Sequence, residues 1–140
     1  MSRTMTRRWA LGASLGAMAV GLGTRSWAAE PAPKEINGRK VEAAGGGDLP
    51  DDYRDRDPAT NGQKAYVVLT PEERAKGFVR PVRLAYTHSR CGKTTGMSRD
   101  IAETLAADPK FYNAGYCATC RDFFPLTEFV WEGTREVVGS

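Results

Sequence analysis

The sequence predicts a small α+β domain with two short helices and a C-terminal β-hairpin, preceded by an extended arm. Two observations lead to this fold class. Helix-type and strand-type patterns follow one another in the second half of the chain, and all three Cys and the single His fall in two short pairs. A length of 140 residues allows one domain of ordinary size. We expect a signal peptide at residues 1–28, the arm at 29–62 and a metal-binding α+β domain at 63–140.

Residues 1–28 show the three parts of an export signal. A basic start ends in Arg7-Arg8, a weakly apolar stretch follows at 10–23, and Ser26-Trp27-Ala28 precedes the expected cleavage point. The apolar stretch is too short to span a bilayer, which takes about 20 apolar residues. Paired arginines before a weakly apolar stretch are typical of the twin-arginine pathway. We therefore expect the mature protein in the periplasm, with membrane contact only through a partner or an uncleaved signal.

The basic charge of the chain belongs to the expected signal. The formal net charge is +3. Four arginines stand in the signal, which has no acid: Arg3, Arg7, Arg8 and Arg25. Sixteen Lys and Arg then face seventeen Asp and Glu in the rest of the chain. Charge therefore gives no reason to expect a nucleic acid as a partner.

The segment 29–62 is rich in Pro, Gly, Asp and Arg, with Gly45-Gly46-Gly47 near its middle. Such a composition buries little apolar surface, which predicts an extended, partly disordered arm. A few larger side chains are candidates to pin the arm locally to a neighbouring surface: Ile36, Val41, Leu49 and Tyr53.

The first ordered element expected after the arm is a strand at 64–69, because β-branched and aromatic residues dominate there. A short helix follows directly. Thr70 can cap it, Pro71 suits its first position, and Glu73 stands where a carboxylate can reach back to the cap N–H. Gly77 ends this helix after about two turns.

The segment 78–86 alternates apolar and basic residues around Pro81, which predicts an edge strand or an extended segment. A second helix is expected at 98–108, with Ser98 as its cap and Pro109 at its end. Its apolar face consists of residues spaced three and four apart: Ile101, Ala102, Leu105 and Ala106.

The C-terminal residues predict a hairpin. Residues 128–131 and 135–138 are strand-like, and 132–134 contain the Gly of a turn. The ordered part of the domain is then near the size at which a hydrophobic core alone gives a thin stability margin. A metal ion or a disulfide often supplies the rest.

The two pairs of candidate ligands are His88/Cys91 and Cys117/Cys120. Two residues between ligands let a tight turn direct both donors at one ion, and two such turns complete the four-coordinate shell that Zn²⁺ prefers. Gly92 adds support, since such a turn often needs a left-handed residue. A set of three Cys and one His leaves no open position, which indicates a structural zinc site rather than a catalytic one.

Other interpretations of the same residues stay open. In an oxidising compartment Cys117 and Cys120 can form a disulfide or act in thiol redox chemistry. Iron can occupy the same four ligands as zinc. Covalent haem attachment is excluded, because it needs His after the second Cys and Arg121 stands there. We assign no catalytic residue, because the only His serves better as a metal ligand.

Part of the chain resembles a group of short, uncharacterised proteins of bacteriophages and scattered bacteria. The resemblance covers about half of the chain and lies in four segments: 70–83, 97–112, 117–120 and 129–140. It implies a small cysteine-bearing domain that is similar to a zinc ribbon, and it transfers no activity. The export signal departs from this group, whose phage-type members are expected in the cytoplasm.

The functional expectation is an exported zinc-binding structural or interaction module. We expect it to serve as an accessory subunit of a larger periplasmic or membrane-associated complex, with a protein as its partner. The alternative is a periplasmic thiol-disulfide redox protein that uses Cys117 and Cys120.

Overall fold

The computed structural model describes residues 31–140, so the expected signal peptide at 1–28 lies outside the described residues. Residues Ala32–Ser140 pack as one unit. In this part of the chain, no helix has both the length and the apolar character needed to cross a bilayer.

The described residues form eight short strands and two α-helices. In chain order these are β1 (Glu35–Ile36), β2 (Arg39–Ala43), β3 (Val67–Leu69), α1 (Pro71–Arg74), β4 (Ala85–His88), β5 (Thr94–Gly96), α2 (Arg99–Ala107), β6 (Ala114–Cys117), β7 (Asp122–Pro125) and β8 (Phe129–Trp131). The strands pair antiparallel in three small sheets, ordered β1-β2-β3, β5-β4-β8 and β6-β7. Small antiparallel sheets with few helices confirm the predicted α+β class.

Residues 32–62 differ from the extended, partly disordered arm that the sequence predicts. They contain β1 and β2, and β2 pairs with β3 in a register that sets Val41 opposite Leu69 and Ala43 opposite Val67. Val41 and Ala43 are buried on one face of β2. Strand β2 cannot be recognised from the composition of this segment. Only two apolar residues alternate along β2, and its partner β3 lies more than twenty residues away.

The same segment has a small cluster of its own and is joined to α1 by one ion pair and one hydrogen bond from the same arginine. Ala43, Leu49 and Tyr53 form a buried cluster. The Arg39 guanidinium donates to the Glu73 carboxylate at 3.1 Å and to the Glu73 carbonyl at 3.2 Å. These contacts tie the beginning of β2 to α1, so the ordered domain begins near residue 32 rather than at 63.

Helix α1 confirms the predicted start and corrects one detail of it. Thr70 is the cap, and its hydroxyl accepts from the N–H of Glu73, with Pro71 at the first helical position. The Glu73 carboxylate does not reach back to the cap N–H. Instead, Thr70 N–H donates to Lys40 O in the ladder between β2 and β3, while Glu73 pairs with Arg39 and Lys76. Glu73 therefore forms a long-range ion pair with Arg39 instead of the predicted local bond to the cap N–H.

The second sheet contains the predicted C-terminal hairpin in shortened form. Strand β8 pairs with β4, and a single bridge between Val130 and Val137 closes the hairpin. The segment 78–84 lies outside the strands and bends at residues 79–80, whereas Ala85 and Tyr86 begin β4, which is the central strand of its sheet rather than the predicted edge strand. The hairpin β6–β7, which the sequence analysis did not identify, follows α2.

Helix α2 packs on β3 and agrees with the predicted helix to within a residue at each end. Ala102, Leu105 and Ala106 are buried on the predicted apolar face. Ser98 occupies the cap position, but its hydroxyl bonds the Asp100 carboxylate and accepts from no helix N–H group.

Thr104, on α2, is fully buried and joins the helix to the first sheet. Alternate residues of an antiparallel strand point their N–H groups away from the partner strand, and the N–H of Leu69 points at α2. It donates to the Thr104 hydroxyl at 3.1 Å, and that hydroxyl donates to Asp100 O at 2.8 Å. One side chain therefore satisfies two buried backbone groups.

We expect Thr104→Val to lower the free energy of unfolding by about 1–3 kcal/mol, because it leaves the buried N–H of Leu69 without an acceptor at nearly constant side-chain volume. Urea unfolding monitored by circular dichroism measures this. Thr104→Ser keeps the hydroxyl and should lose less. A Thr104→Val protein as stable as the wild type would contradict this role.

Candidate metal centre

The two ligand pairs stand on two turns of the same backbone geometry. One turn, His88 to Gly92, connects β4 to β5, and the other, Cys117 to Arg121, connects β6 to β7. In each turn the fifth residue donates its N–H to the carbonyl of the first, at 2.7 Å in both. The fifth residue also has a positive φ, 73° for Gly92 and 57° for Arg121. Each turn points its first and fourth side chains to the same side.

The four predicted ligands converge on one point. Their donor atoms all lie within 4.8 Å of one another. Cys91 Sγ is 3.7 Å from Cys117 Sγ, and Cys120 Sγ is 3.6 Å from His88 Nδ1. In a tetrahedral shell with Zn–S near 2.3 Å, two sulfurs lie about 3.8 Å apart, and a sulfur and an imidazole nitrogen about 3.6 Å apart. The two distances therefore match the edges of a zinc-sized tetrahedron.

The His88 ring is held on both faces by aromatic side chains. It is fully buried, stacked on Phe129 at 4.8 Å between ring centroids and tilted against Phe124 at 4.4 Å. Phe129 belongs to the main hydrophobic cluster, as does Cys117, and Cys91 packs against that cluster. His88, Cys91 and Cys117 therefore lie in or against the hydrophobic core, while Cys120, the fourth ligand, is exposed.

Glu128 fixes which nitrogen of His88 faces the sulfurs. His88 Nε2 is 2.9 Å from Glu128 Oε1, while Nδ1 faces Cys120. A carboxylate at Nε2 holds the proton there and leaves Nδ1 free to bind a metal, which is a common arrangement for metal-bound His. Arg90 NH2 donates to the other Glu128 oxygen at 3.1 Å, and Ser89 N–H donates to the Glu128 carbonyl.

The three cysteines are free thiols that influence one another's ionisation. Burial, the largest influence, raises the pKa of Cys117, but the Cys120 N–H and the Cys91 thiol point at its sulfur and bring the pKa down to about 7. Burial and then the Cys117 and Cys91 sulfurs raise the pKa of Cys120 to about 11. One sulfur of the cluster ionises readily and a second resists. A cation bound among the three would favour the ionised form of them all.

The second turn is also held from outside by the segment 59–61. Asn61 Nδ2 donates to Arg121 O at 2.7 Å, and Arg121 NH2 donates to Ala59 O at 2.9 Å. The sequence analysis missed Glu128, Asn61 and this support. Their ligand-turn partners lie forty to sixty residues away, and no local pattern marks them. The four ligand positions themselves are brought together as the sequence predicts.

The chain matches no protein-family model, no curated protein and no solved structure. Its chemistry is therefore inferred from the donor set alone. Three sulfurs and one imidazole nitrogen, within 4.8 Å of one another, form a cluster that could hold one metal ion.

We expect Glu128→Ala to weaken metal binding about 10- to 100-fold, because it removes the carboxylate that orients His88. Competition with a chromophoric chelator measures the affinity of the purified protein for Zn²⁺. Glu132→Ala is the matched control, since Glu132 is an exposed acid four residues away with no hydrogen bond from its side chain to a described residue. Equal affinities of the two variants would exclude the positioning role.

Proposed function

We propose that the chain is an exported zinc protein in which one structural Zn²⁺ fixes a small interaction domain. The observation that supports this most directly is the convergence of His88 Nδ1 and the three cysteine sulfurs within 4.8 Å. Zinc bound by three thiolates and one imidazole is a closed, four-coordinate site, which stabilises a fold and leaves no position for a substrate.

The two ligand turns suit a zinc-ribbon-like arrangement. Each turn stands at the tip of a hairpin, and an ion bound by both would join the sheet β5-β4-β8 to the hairpin β6–β7. Besides the core around Phe129, this junction has the packing of His88 on Phe124 and two hydrogen bonds: Ala118 N–H donates to the Thr95 hydroxyl at 3.1 Å, and the Tyr86 hydroxyl donates to Tyr116 O. A metal ion bound there would add to its stability.

The donor set favours zinc over the alternative thiol-disulfide role of Cys117 and Cys120. Cys117 has no exposed surface, whereas Cys120 is exposed, so exposure alone does not separate the two roles. The third sulfur, Cys91, and the buried His88 also take part in the cluster, and a two-cysteine mechanism uses neither. Iron remains chemically compatible with these ligands, and metal analysis separates it from zinc.

An interaction role is supported by an apolar segment on the surface. Phe78, Val79 and Leu84 are exposed large hydrophobic residues, with Val79 exposed by 61%. Clustered exposed apolar residues often mark a contact with another protein. We propose an accessory subunit of a larger periplasmic or membrane-associated complex, which meets a membrane through its partner or an uncleaved signal and does not use nucleic acid.

The export proposal rests on the sequence pattern of residues 1–28. The twin-arginine pathway is suited to proteins that fold before export, so zinc can be bound in the cytoplasm before the thiols reach an oxidising compartment. Export by this route is therefore compatible with a zinc site that contains three thiols.

We expect protein recovered from the native periplasm to contain one zinc per chain and three unoxidised thiols. Elemental analysis and thiol titration of the same sample measure both. Removal of the metal by a chelator should lower the melting temperature, because metal binding is coupled to folding. Cys91→Ser should lose zinc, whereas Ser89→Ala, a change at a non-ligand position of the same turn, should keep it.

An oxidised Cys117–Cys120 pair without metal would overturn the zinc proposal in favour of redox chemistry, and one iron per chain would change the identity of the ion. The same native sample tests the partner proposal by gel filtration. A particle no larger than the single chain would count against an accessory subunit.

We expect Arg7→Lys combined with Arg8→Lys to retain the protein in the cytoplasm, because the pathway depends on the paired arginines. Fractionation into periplasm and cytoplasm with immunodetection measures this. Arg3→Lys combined with Arg25→Lys changes the same number of arginines outside the pair and should leave export intact. Unchanged export of the Arg7/Arg8 variant would exclude this route.

A further inference from the structure

A cavity of about 340 Å³ lies beside the candidate metal centre and includes none of its four ligands. It is bounded by α2, β5 and β6 and by the residues that precede β3. Its walls are mainly aromatic and apolar side chains, among them Tyr66, Tyr86, Tyr112, Tyr116, Phe123 and Met97. Its volume is at the small end of the range of pockets that bind small organic molecules.

Three of the four tyrosine hydroxyls donate to the backbone. Tyr86 and Tyr112 donate to the carbonyls of Tyr116 and Val67, each at 2.6 Å, and Tyr116 donates to Thr60 O. These three side chains therefore offer ring carbon to the cavity, while the Tyr66 hydroxyl accepts from Gln63 N–H at 3.3 Å. No charged side chain lines the cavity. Such walls suit an aromatic ring, which gains from apolar burial and from ring-to-ring contact.

A second, wider groove, whose lining is basic, adjoins the cavity. Five residues line both spaces: Gln63, Tyr66, Tyr112, Ala114 and Phe123. The groove adds Arg54, Arg56 and Lys110 and has no acidic residue in its lining.

The three cations of the groove differ in their contacts. Arg56 lies over the Phe123 ring at 4.9 Å and pairs with the Asp122 carboxylate at 3.4 Å. Arg54 donates only to the hydroxyl of its neighbour Tyr53, and Lys110 Nζ contacts no acid among the described residues. Arg54 and Lys110 are thus the two cations of the groove that are available to pair with a bound anion.

We propose that the cavity and groove together bind a small aromatic anion, with its ring between the tyrosines and its acidic group at Arg54 and Lys110. The ring is held by the apolar walls, and the two exposed cations select a carboxylate, sulfonate or phosphate over a neutral group. The cavity and the groove include none of the four candidate zinc ligands in their linings.

Two fluorescent probes test the proposal on the purified full-length protein: 1-anilinonaphthalene-8-sulfonate, an aromatic anion, and N-phenyl-1-naphthylamine, its neutral analogue. We expect saturable binding of the anion at one site per chain. Arg54→Gln combined with Lys110→Gln should weaken binding of the anion roughly fivefold and leave the neutral probe within twofold, because exposed ionic contacts are modest. The matched control, Lys40→Gln combined with Arg135→Gln, removes two exposed cations outside the groove. It should leave the affinities for both probes unchanged.

Occlusion of the cavity tests the location. Ala114 is an exposed residue of β6 that lines both spaces, and Ala114→Trp should abolish binding of both probes. Gln63→Trp is a second occluding variant in case the first does not fold, with near-ultraviolet circular dichroism as the check. Probe binding that persists in a folded occluding variant, or that never saturates, overturns the site. Equal weakening by the groove and control pairs overturns the role of the two cations.

Discussion

The rest of the domain depends on the packing of His88 between Phe124 and Phe129. This one ring is at once a core side chain and the only nitrogen donor of the metal cluster. Burying an imidazole without a partner for each nitrogen would cost free energy. Here Glu128 accepts at one nitrogen and the sulfurs face the other. Coordination and hydrophobic packing therefore favour the same arrangement of β4 and β8.

Two of the three sulfurs are also part of the core or packed against it. Cys117 lies in the same cluster as Phe129, and Cys91 packs against that cluster. The turn that carries Cys117 is braced by Asn61, which belongs to the segment that composition alone assigns to a disordered arm. A small domain with a modest core gains rigidity when distant segments meet at one place. The candidate metal centre is that place for β4, β6 and the segment 59–61.

The sequence correctly predicts features that depend on neighbours within about five residues. These are the cap Thr70 with Pro71, the spacing of the α2 face and the two ligand pairs. The features that the sequence does not predict depend on residues far away along the chain. Strand β2 is stabilised by β3, and Glu128 meets His88 across forty residues, so no short pattern marks either. The expected bond from Glu73 to its own cap failed for the same reason, because Arg39 offers a stronger, charged partner.

The segment 59–66 contacts both the candidate metal centre and the tyrosine-lined cavity. Asn61 braces the cysteine turn, and Tyr66, five residues later, forms a wall of the tyrosine-lined cavity. Tyr116 joins the same two regions from the other side, since its hydroxyl bonds Thr60 while its ring lines the cavity. Metal and ligand would each bind only the folded arrangement of this segment, so each would add to its stability. Thr60 and Asn61, two residues of the segment that composition assigns to an arm, thus support both proposed sites.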